Sequence, residues 1–495
     1  MSGTETAKKS TDGLQIDKKT VIGITAILLA VYILVGALTY IIPRGEYNTF
    51  IDEKTGNASI TSESVYTPLE DYKMPVWKII AAPVLVFADA STRSTGFTGI
   101  LIVVFIVLMG GTFLLLDRCG VLNYLVASII KKFGAHRYLL MAVLLLFFMA
   151  LASTAGTLEE SVTFVPITVA LALALGWDSL VGVSLSLVAV MFGFTAATFN
   201  PFNVMTVQKL AGDVEIYSGL GMRIAVFAAV FLVLFGFLAL YARRIEKHPE
   251  KSLAYETDKA LRDKYKIDNS EEVLHDASAA KGARAFLICL SLAFVCIVLD
   301  FVISAGGVLS MGGIGVFFVL GGIIAGVSKG YRGKKLLSAF GEGVKTVAPI
   351  LPLIILVIAI AYVLNTGKIM HTILYYVYNM LSGLSPSKAI LLLFVFIALL
   401  EFFIGSGTAK AFLVMPLVIP LAHLIGISSN SVVLSFCLAD GFTNMLYPTS
   451  GIMIIAIGLV GVSYPKWLRF AAPLLIAEGI VSVAFMLIAV NTGYC

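Results

Sequence analysis

Long uncharged apolar runs recur along the chain and are separated by short polar connections. Residues 21–42, 97–116 and 347–364 contain no charged side chain. These runs reach or approach the roughly 20 residues that an α-helix, rising 1.5 Å per residue, needs to cross the hydrocarbon core of a bilayer. Apolar and polar residues do not alternate with a period of two, so the crossing elements are expected to be helices. The pattern predicts an all-α polytopic membrane protein.

Composition supports this prediction and narrows the function. Hydrophobic residues make up 59% of the chain and charged residues 13%, against about 25% charged residues in soluble domains. The net charge of +5 comes from lysines and arginines in the connections, which is ordinary membrane topology rather than nucleic-acid binding. The first apolar run is too long for the core of a secretory signal and is interpreted as a retained span. The five cysteines show no metal-binding spacing.

The sequence contains an internal repeat on either side of a hydrophilic segment, residues 243–284. The stretch GTLEESVTFVPITVALALALGWDS from Gly156 is similar to GTAKAFLVMPLVIPLAHLIGISS from Gly407. Such self-similarity indicates two structural repeats. Both stretches are followed by the tripeptide Gly-Phe-Thr and then by a proline, at Gly193 and Pro201 in the first copy and at Gly441 and Pro448 in the second.

Each repeat holds two apolar runs that are too short to cross a bilayer. A run of about 14 residues gives roughly 21 Å of helix, whereas the hydrocarbon core is roughly 30 Å thick. Two such runs joined by a polar tip predict a re-entrant hairpin, whose tip must be buried in protein or line a water-filled cavity. The runs are residues 139–152 and 162–175 in the first copy and 389–404 and 412–425 in the second.

Counting the hairpins as non-crossing places the basic clusters on one side of the membrane. By the positive-inside rule this side is the cytoplasm, so the N-terminus is expected to be cytoplasmic in the cell (cytoplasmic) membrane. The hairpins then open toward opposite sides, which makes the repeats inverted. Inverted repeats with broken helices are typical of secondary transporters that bind solute near the midplane. The basic residues are Lys8, Lys9, Lys18, Lys19, Arg118, Lys131, Lys132, Arg137, Lys329, Arg332, Lys334, Lys335, Lys466 and Arg469.

The predicted organisation has about nine full spans and two hairpins. A cytoplasmic tail, 1–20, precedes the first repeat, 21–242, which comprises the spans 21–42, 97–116 and 224–242, the hairpin 138–176 and the broken helix 178–211. A cytoplasmic linker, 243–284, leads to the second repeat, 285–495, which comprises the spans 285–305, 307–328, 347–364 and 467–490, the hairpin 387–426 and the broken helix 430–462. Residues 121–133 and 370–381 are interpreted as arms along the interface, with two further spans as the alternative.

The predicted binding site consists of the polar tips of the two hairpins and of the breaks, the interruptions within the two broken helices. Four half-helices begin near the centre of the predicted fold, and their free N–H groups and positive dipole ends attract a carboxylate. The alternative is that Pro201 and Pro448 only kink two helices. The residues expected to bind the solute are Ser153, Thr154, Gly156, Thr157, Glu159, Glu160, Asn200, Asn203, Ser406, Gly407, Thr408, Lys410, Asn444, Thr449 and Ser450. Those expected to hold a coupling ion, Na+ or H+, are Thr195, Thr198, Asp440 and Thr443. No other metal and no organic cofactor is expected.

Two adjacent glutamates follow the first tip. Thr157 and Glu160 match a T-x-x-E capping box, in which the Glu160 carboxylate accepts a hydrogen bond from the backbone N–H of Thr157. A capping role and a binding role for Glu160 stay equally open. Glu159 has no capping role, and an intramembrane carboxylate is expected to be functional. We expect Glu159 to carry a proton or to face a cationic group of the solute.

The second tip carries a lysine in place of these acids. Lys410 lies just inside a helix N-terminus, where the helix dipole disfavours a cation. A solute carboxylate, Glu159 or Asp440 is expected to compensate it. Asp440 lies at the C-terminal end of a half-helix, where a bound cation would compensate the acid. Glu401, at the end of the preceding arm, is interpreted equally well as a solvated flank.

The stretches EESVTFVPITVALALALGWDS and GFTAATFNPF resemble the C4-dicarboxylate anaerobic carrier family, in its YfcC and arginine–ornithine antiporter-like branch, within the ion transporter superfamily. The resemblance covers nearly the whole chain, from the first span to the last. It implies a homodimer in which a scaffold domain stays fixed while a transport domain of hairpins and broken helices moves as an elevator.

The residues favour transport of a small carboxylate-bearing solute in the lipid bilayer. Helix N-termini suit a carboxylate and the excess of acids suits a cation, so an amino acid fits both, and exchange of basic amino acids fits the acids best. The alternative is uptake of C4-dicarboxylates or other carboxylates coupled to Na+ or H+, with Lys410 binding a second carboxylate. A membrane-embedded enzyme is a remote alternative, because HExxH is absent, and the chain is expected not to be an enzyme. A channel is equally remote, because it would need no inverted hairpins.

Overall fold

The computed structural model describes residues 18–48, 50–51, 58–59, 64–70, 72–89, 93–215, 218–265, 273–303 and 308–494. The described residues are mostly helical, in agreement with the predicted fold class. Three predicted regions lie wholly or partly outside the described residues: the tail at 1–17, the linker at 266–272 and the junction of two spans at 304–307.

The elements follow the apolar runs of the sequence. In the first half the helices are α1 (Lys18–Ile41), α2 (Val76–Ala88), α3 (Arg93–Arg118), α4 (Val121–Phe133), α5 (Arg137–Ala155), α6 (Val165–Ala174), α7 (Ser179–Val183), α8 (Ala189–Thr195), α9 (Thr206–Ala211), α10 (Leu220–Lys247) and α11 (Tyr255–Tyr265). In the second half they are α12 (Ala277–Ile303), α13 (Val308–Ser328), α14 (Gly333–Val347), α15 (Leu351–Thr366), α16 (Met370–Leu381), α17 (Pro386–Glu401), α18 (Gly407–Leu424), α19 (Ser429–Asp440), α20 (Gly451–Leu459) and α21 (Tyr464–Thr492).

Short strands between α1 and α2 depart from the all-α prediction. They form two antiparallel pairs, β1 (Gly45–Tyr47) with β4 (Tyr66–Pro68) and β2 (Phe50–Ile51) with β3 (Ala58–Ser59). Strands of two or three residues leave no periodic pattern that sequence analysis can detect. The first pair rests on the second half of the chain, because Tyr66 stacks on Tyr375 and its hydroxyl lies 2.8 Å from the Thr372 hydroxyl.

Six helices in the described part are long and apolar enough to cross a membrane, or seven if the bent pair α14 and α15 is one span. About nine were expected. The interrupted helices supply none of the six, because pieces such as the 12-residue α19 and the 9-residue α20 are too short to cross. Two of the six contain arms of predicted hairpins, so length alone does not separate an arm from a span. The six are Val21–Ile41, Val121–Ala155, Leu220–Lys247, Ala277–Leu299, Gly407–Leu424 and Tyr464–Thr492.

The helices pack in two main groups. In one group, α12 packs against α13, α3 against α13 and α14, and α1 and α2 against α15. In the other, α5 packs against α8, α10 against α21, and α17, α19 and α21 against one another, while α18 contacts α9. The second group holds both predicted hairpins and both interrupted helices, so the polar tips and breaks of the two halves lie in one body of helices.

The hydrophilic linker is partly folded against the first half, which the sequence did not predict. Asp178, at the N-cap of α7, accepts hydrogen bonds from the hydroxyls of Tyr241 and Ser252, each at 2.7 Å. Asp258, on α11, is fully buried and accepts a hydrogen bond from the backbone N–H of Ser179 at 2.7 Å. Most residues of α11 are polar, so Asp258 is buried because the helix docks against the first half of the chain, not because the helix itself is apolar.

The docking of α11 is expected to weaken as pH rises. Burial, followed by the nearby charge of Asp178, raises the pKa of Asp258 to about 7, against the partial opposing effects of the hydrogen bonds with Ser179 and the charge of Arg262. The docked segment therefore holds a proton that the released segment loses above about pH 4. Docking is strongest below about pH 4 and loses this contribution as pH rises to about 7.

Amide hydrogen exchange of α11 in detergent-solubilised protein measures this effect, with intrinsic rates corrected for pH. Asp258→Asn should remove the pH dependence of protection, whereas Glu256→Gln, which replaces an exposed acid on the same helix, should retain it. Equal protection of wild-type α11 at pH 5 and pH 8 would contradict the assignment.

Candidate functional site

The first break follows α8 and is hydrogen-bonded to the C-terminal end of α5. Residues 196–200 are not helical, so their backbone groups need other partners in an apolar setting. Ser153 supplies several: its hydroxyl donates to the Ala196 carbonyl at 2.7 Å, and its carbonyl accepts from the N–H groups of Thr198 and Phe199 at 2.9 and 3.1 Å. The Thr198 hydroxyl lies 3.0 Å from that of Ser153. Both hydroxyls therefore repair unwound backbone.

Two asparagines of the NPF segment fix the restart of the helix. Asn200 caps it by accepting from the Phe202 N–H at 2.9 Å and donates to the Ala152 carbonyl at 3.2 Å. Asn203 donates to the Phe194 carbonyl at 3.4 Å. Both are fully buried. The alternative reading of Pro201, a kink repaired by polar side chains, accounts for these contacts.

The second break uses the same kinds of residue. Asn444 donates to the carbonyl oxygens of Asp440 and Gly441 at 3.0 and 3.2 Å and accepts from the Ser450 hydroxyl at 3.2 Å. The hydroxyl of Thr443 donates to the Ala439 carbonyl at 2.7 Å. By contrast, the Thr449 hydroxyl is buried and has no hydrogen-bond partner among the described residues.

Three further predicted hydroxyls differ in exposure and bonding. Thr154 and Thr195 donate to carbonyls one turn earlier, those of Ala150 at 2.7 Å and Met191 at 3.1 Å. The Thr157 hydroxyl is buried and unpaired in the described part of the chain. The hydroxyls of Thr157 and Thr449 are thus the two among the predicted solute-binding residues that are buried without a hydrogen-bond partner in the described part of the chain.

The structure brings both tips and both breaks together. Gly156 ends α5 with φ +73°, and a Cβ there would lie 2.6 Å from Asn200 Oδ1. A Cβ on Gly441 would collide with the backbone nitrogen and hydroxyl of Thr195, so the two breaks cross at this point. The Thr408 hydroxyl, in the second tip, donates to the Phe202 carbonyl of the first break at 3.1 Å.

The second tip also contacts the end of α19. Ser406 is exposed and caps α18 by accepting from the Ala409 N–H at 3.3 Å. A Cβ on Gly407 would lie 2.6 Å from Asp440 Oδ2. The absence of a side chain at Gly407 therefore lets the tip backbone approach the Asp440 carboxylate.

A buried ion cluster lies beside this contact. Lys410 is fully buried, and its ammonium group contacts the carboxylates of Asp440 and Glu401. Pairing with Asp440 was one of the predicted solutions. The interpretation of Glu401 as a solvated flank is wrong, because it is 3% exposed and paired with Lys410. One cation faces two carboxylates, which leaves one negative charge uncompensated within the cluster.

The two glutamates of the first tip differ in position. Glu159 is partly buried and lies within electrostatic reach of Asp440, so it brings a further acidic side chain close to the ion cluster. Glu160 accepts a hydrogen bond from the backbone N–H of Leu158 at 3.2 Å. The predicted bond to the Thr157 N–H is wrong by one residue, because a 3₁₀-helix, Glu159–Phe164, begins here in place of an α-helix.

Sequence reasoning missed a buried arginine at the first break. Arg223 is 1% exposed, and it donates to the carbonyls of Thr198 and Ser218 at 3.3 and 2.8 Å. Its Nη2 makes no hydrogen bond of good geometry with the described residues, but the guanidinium also lies against the Tyr494 hydroxyl. The signal was present, since Arg223 lies on the same helical stripe as the buried Val226 and Val230. Arg223 also lies at the start of an apolar run, where a charged residue is commonly solvated, so burial on this stripe was easily overlooked.

The described residues contain neither a metal-ligand cluster nor the turn that a hydrolase nucleophile requires. No group of three or more His, Cys, Asp or Glu side chains there is placed to hold a metal ion. The stretch GVSKG, residues 326–330, has the spacing of a hydrolase nucleophile motif. Its Ser328 is half-buried at the end of α13 and donates to the Ile324 carbonyl at 2.8 Å, which does not place a nucleophile on a strand-to-helix turn.

The part of the chain that matches a known family begins and ends close to the first and last apolar runs. The profile of the family described as "C4-dicarboxylate anaerobic carrier" matches residues 22–491. The chain belongs to the C4-dicarboxylate anaerobic carrier family. The resemblance expected from the sequence is thereby confirmed, and this member of the family is a multi-pass membrane protein and a secondary transporter of that class.

Two relatives of this family member cover most of its length. It is 30% identical over 420 residues to the "Putative basic amino acid antiporter YfcC" of Escherichia coli K12, covering 82% of this chain and 81% of the relative. It is 26% identical over 487 residues to an "Uncharacterized protein" of Haemophilus influenzae, covering 91% of this chain and 93% of the relative.

Two solved transporter structures align with this family member over most of its length. The Alcanivorax borkumensis YdaH transporter aligns with a TM-score of 0.45 and 16% identity over 95% of this chain and 99% of that one. The Neisseria gonorrhoeae MtrF structure, described as illuminating a class of antimetabolite efflux pumps, aligns with a TM-score of 0.44 and 16% identity over 96% and 97%.

Proposed function

We propose that this protein exchanges or takes up an amino acid, with antiport of basic amino acids favoured, across the cytoplasmic membrane. The observation that carries the proposal is the buried ion cluster of Lys410, Glu401 and Asp440, in which one cation faces two carboxylates. A buried uncompensated charge is costly, and a cationic side chain on the solute would neutralise it. Glu159, near Asp440, strengthens the attraction.

The carboxylate of such a solute needs a separate partner. Lys410 is enclosed by two carboxylates, so it is not the best candidate. The Nη2 of Arg223 is buried and makes no hydrogen bond of good geometry with the described residues, and a guanidinium matches the geometry of a carboxylate. Cys437, one turn before Asp440, lies within electrostatic reach of both Arg223 and Asp440. The anionic and cationic ends of one amino acid therefore have partners on neighbouring elements.

In this proposal the two tips and two breaks form a single site at half-depth. The hairpins are re-entrant and inverted, and the body that contains them moves as an elevator against the other helix group within a homodimer. The printed name of the E. coli relative, an antiporter of basic amino acids, supports the choice of solute. C4-dicarboxylate uptake coupled to Na+ or H+ is the second candidate, favoured by the description of the family.

Counterflow in proteoliposomes tests the proposal. Vesicles are preloaded with unlabelled solute and diluted into labelled arginine, ornithine, leucine or succinate. Transient accumulation of labelled arginine or ornithine above the external concentration is expected, with protein-free vesicles as the control. Accumulation of succinate alone would favour the second candidate. Failure of every carboxylate solute to accumulate would contradict a carrier of this kind.

A further inference from the structure

A carboxylate outside the ion cluster lies at the centre of the last helix. Glu478 is the middle residue of the 29-residue α21, about 21 Å from each end at 1.5 Å per residue. It is fully buried on the packed face of the helix, between Leu474 and Ser482. Since α21 is one of the long apolar helices, Glu478 falls near half-depth if that helix crosses the membrane.

Neither carboxyl oxygen of Glu478 has a hydrogen-bond partner among the described residues. Ser482, one turn later on the same face, has a buried and equally unpaired hydroxyl. So does Ser435 on α19, a helix that packs against α21. A serine inside a helix often donates to the carbonyl four residues earlier, and these two do not. Three polar side chains are therefore buried and unpaired on two contacting helices.

An ionised carboxylate in this setting would be strongly disfavoured. Burial without a partner costs several kcal/mol, and none of the charged groups in the described part of the chain acts on Glu478. The carboxyl must therefore hold a proton or a bound cation. An alkali cation needs several oxygen ligands, but the backbone carbonyls of a regular helix are already used in its own hydrogen bonds. A proton needs only the carboxyl group and suits the site best.

We propose that Glu478 is a proton-binding site that couples solute transport to H+ movement. The proposal rests on the transport function argued above. Its link to the solute site is the packing of α21 against both α17 and α19, the helices that end in Glu401 and Asp440. A shift of these two helices that admits water to Glu478 releases the proton, and their return in the loaded state restores the dry environment.

Carbodiimide labelling tests the bound proton without any solute. Dicyclohexylcarbodiimide reacts with protonated carboxyl groups in apolar surroundings, and peptide mass spectrometry locates the adduct. In reconstituted wild-type protein, Glu478 should be labelled at pH 6, with labelling that falls as pH rises to 9 and is absent in Glu478→Gln. Absence of label on Glu478 at every pH, in protein that binds the reagent elsewhere, would overturn the proposal.

A pH gradient tests the coupling. In vesicles without internal solute, an inward gradient of one pH unit should raise accumulation of the counterflow substrate by up to about tenfold in the wild type, if one proton enters with each solute. Glu478→Gln should lose this rise while still exchanging solute at equal pH, and Glu342→Gln, outside the site, should behave as wild type. A rise that persists in Glu478→Gln, or one produced only by a sodium gradient, would overturn proton coupling at Glu478. Absence of counterflow in the wild type would count against the transport function and leave the labelling result to decide on the proton.

Discussion

Lys410→Met is expected to abolish solute exchange and to destabilise the protein. Methionine removes the one cation that contacts Glu401 and Asp440 among the described residues, so two buried carboxylates are left facing each other. Breaking a buried ion pair by removing one partner costs about 3–5 kcal/mol. The expected results are a loss of counterflow to the level of protein-free vesicles and a lower unfolding midpoint in detergent.

A neutralised triple variant separates folding from transport. Combining Lys410→Met with Glu401→Gln and Asp440→Asn removes all three charges, and replacing a buried ionic cluster by neutral groups is often neutral for stability. The unfolding midpoint should recover while counterflow stays absent, because the proposed site no longer presents an acid to a cationic solute. Exchange at the wild-type rate in either variant would show that the ion cluster is not part of the solute site.

Gly441→Ala is expected to separate the two breaks and to stop transport. The new Cβ would collide with the backbone nitrogen of Thr195 as well as with its hydroxyl, and a backbone atom cannot rotate away as a flexible side chain can. Overpacking of this kind costs about 1–3 kcal/mol. We expect a lower unfolding midpoint and a loss of counterflow of tenfold or more, since Thr195 and residue 441, and with them the two breaks, must move apart.

Gly451→Ala is the matched control for this substitution. Gly451 lies in the same polar segment, at the start of α20, and a Cβ there would meet nothing within 4 Å. This variant should retain both the unfolding midpoint and counterflow. Similar losses in both glycine variants would mean that an added side chain is disruptive anywhere in this segment. The loss in Gly441→Ala could then not be attributed to the contact between the two breaks.

Much of the helical framework was predictable because burial in lipid demands long apolar runs. The helices at 21–42 and 467–490 follow directly from such runs. The unpredicted α14 is amphipathic, with charged residues at Lys335 and Glu342, and therefore resembles a loop when only apolar length is considered. The unpredicted α2 has only 13 residues and contains Pro83, which argues against a helix in a sequence.

The site was predictable where the repeat points to it and less so elsewhere. The two Gly-Phe-Thr segments identified the breaks, and the structure places Thr195 against Gly441. The pairing of Lys410 with Asp440 followed from helix dipoles. Glu401 was misjudged and Arg223 was overlooked because each lies at one end of an apolar run, where charged residues are commonly solvated. Their burial depends on packing between distant segments, which local sequence does not encode.

The central claim is that the tips and breaks of both halves form one solute site between oppositely facing hairpins. A cryo-electron microscopy map in lipid nanodiscs, with the solute identified by counterflow, tests it most directly. The account predicts solute density enclosed by the tips at 156–160 and 405–410, close to Arg223 and the ion cluster, with the two hairpins opening toward opposite faces of the bilayer. Solute density elsewhere, or hairpin arms that run straight across the bilayer, would contradict it.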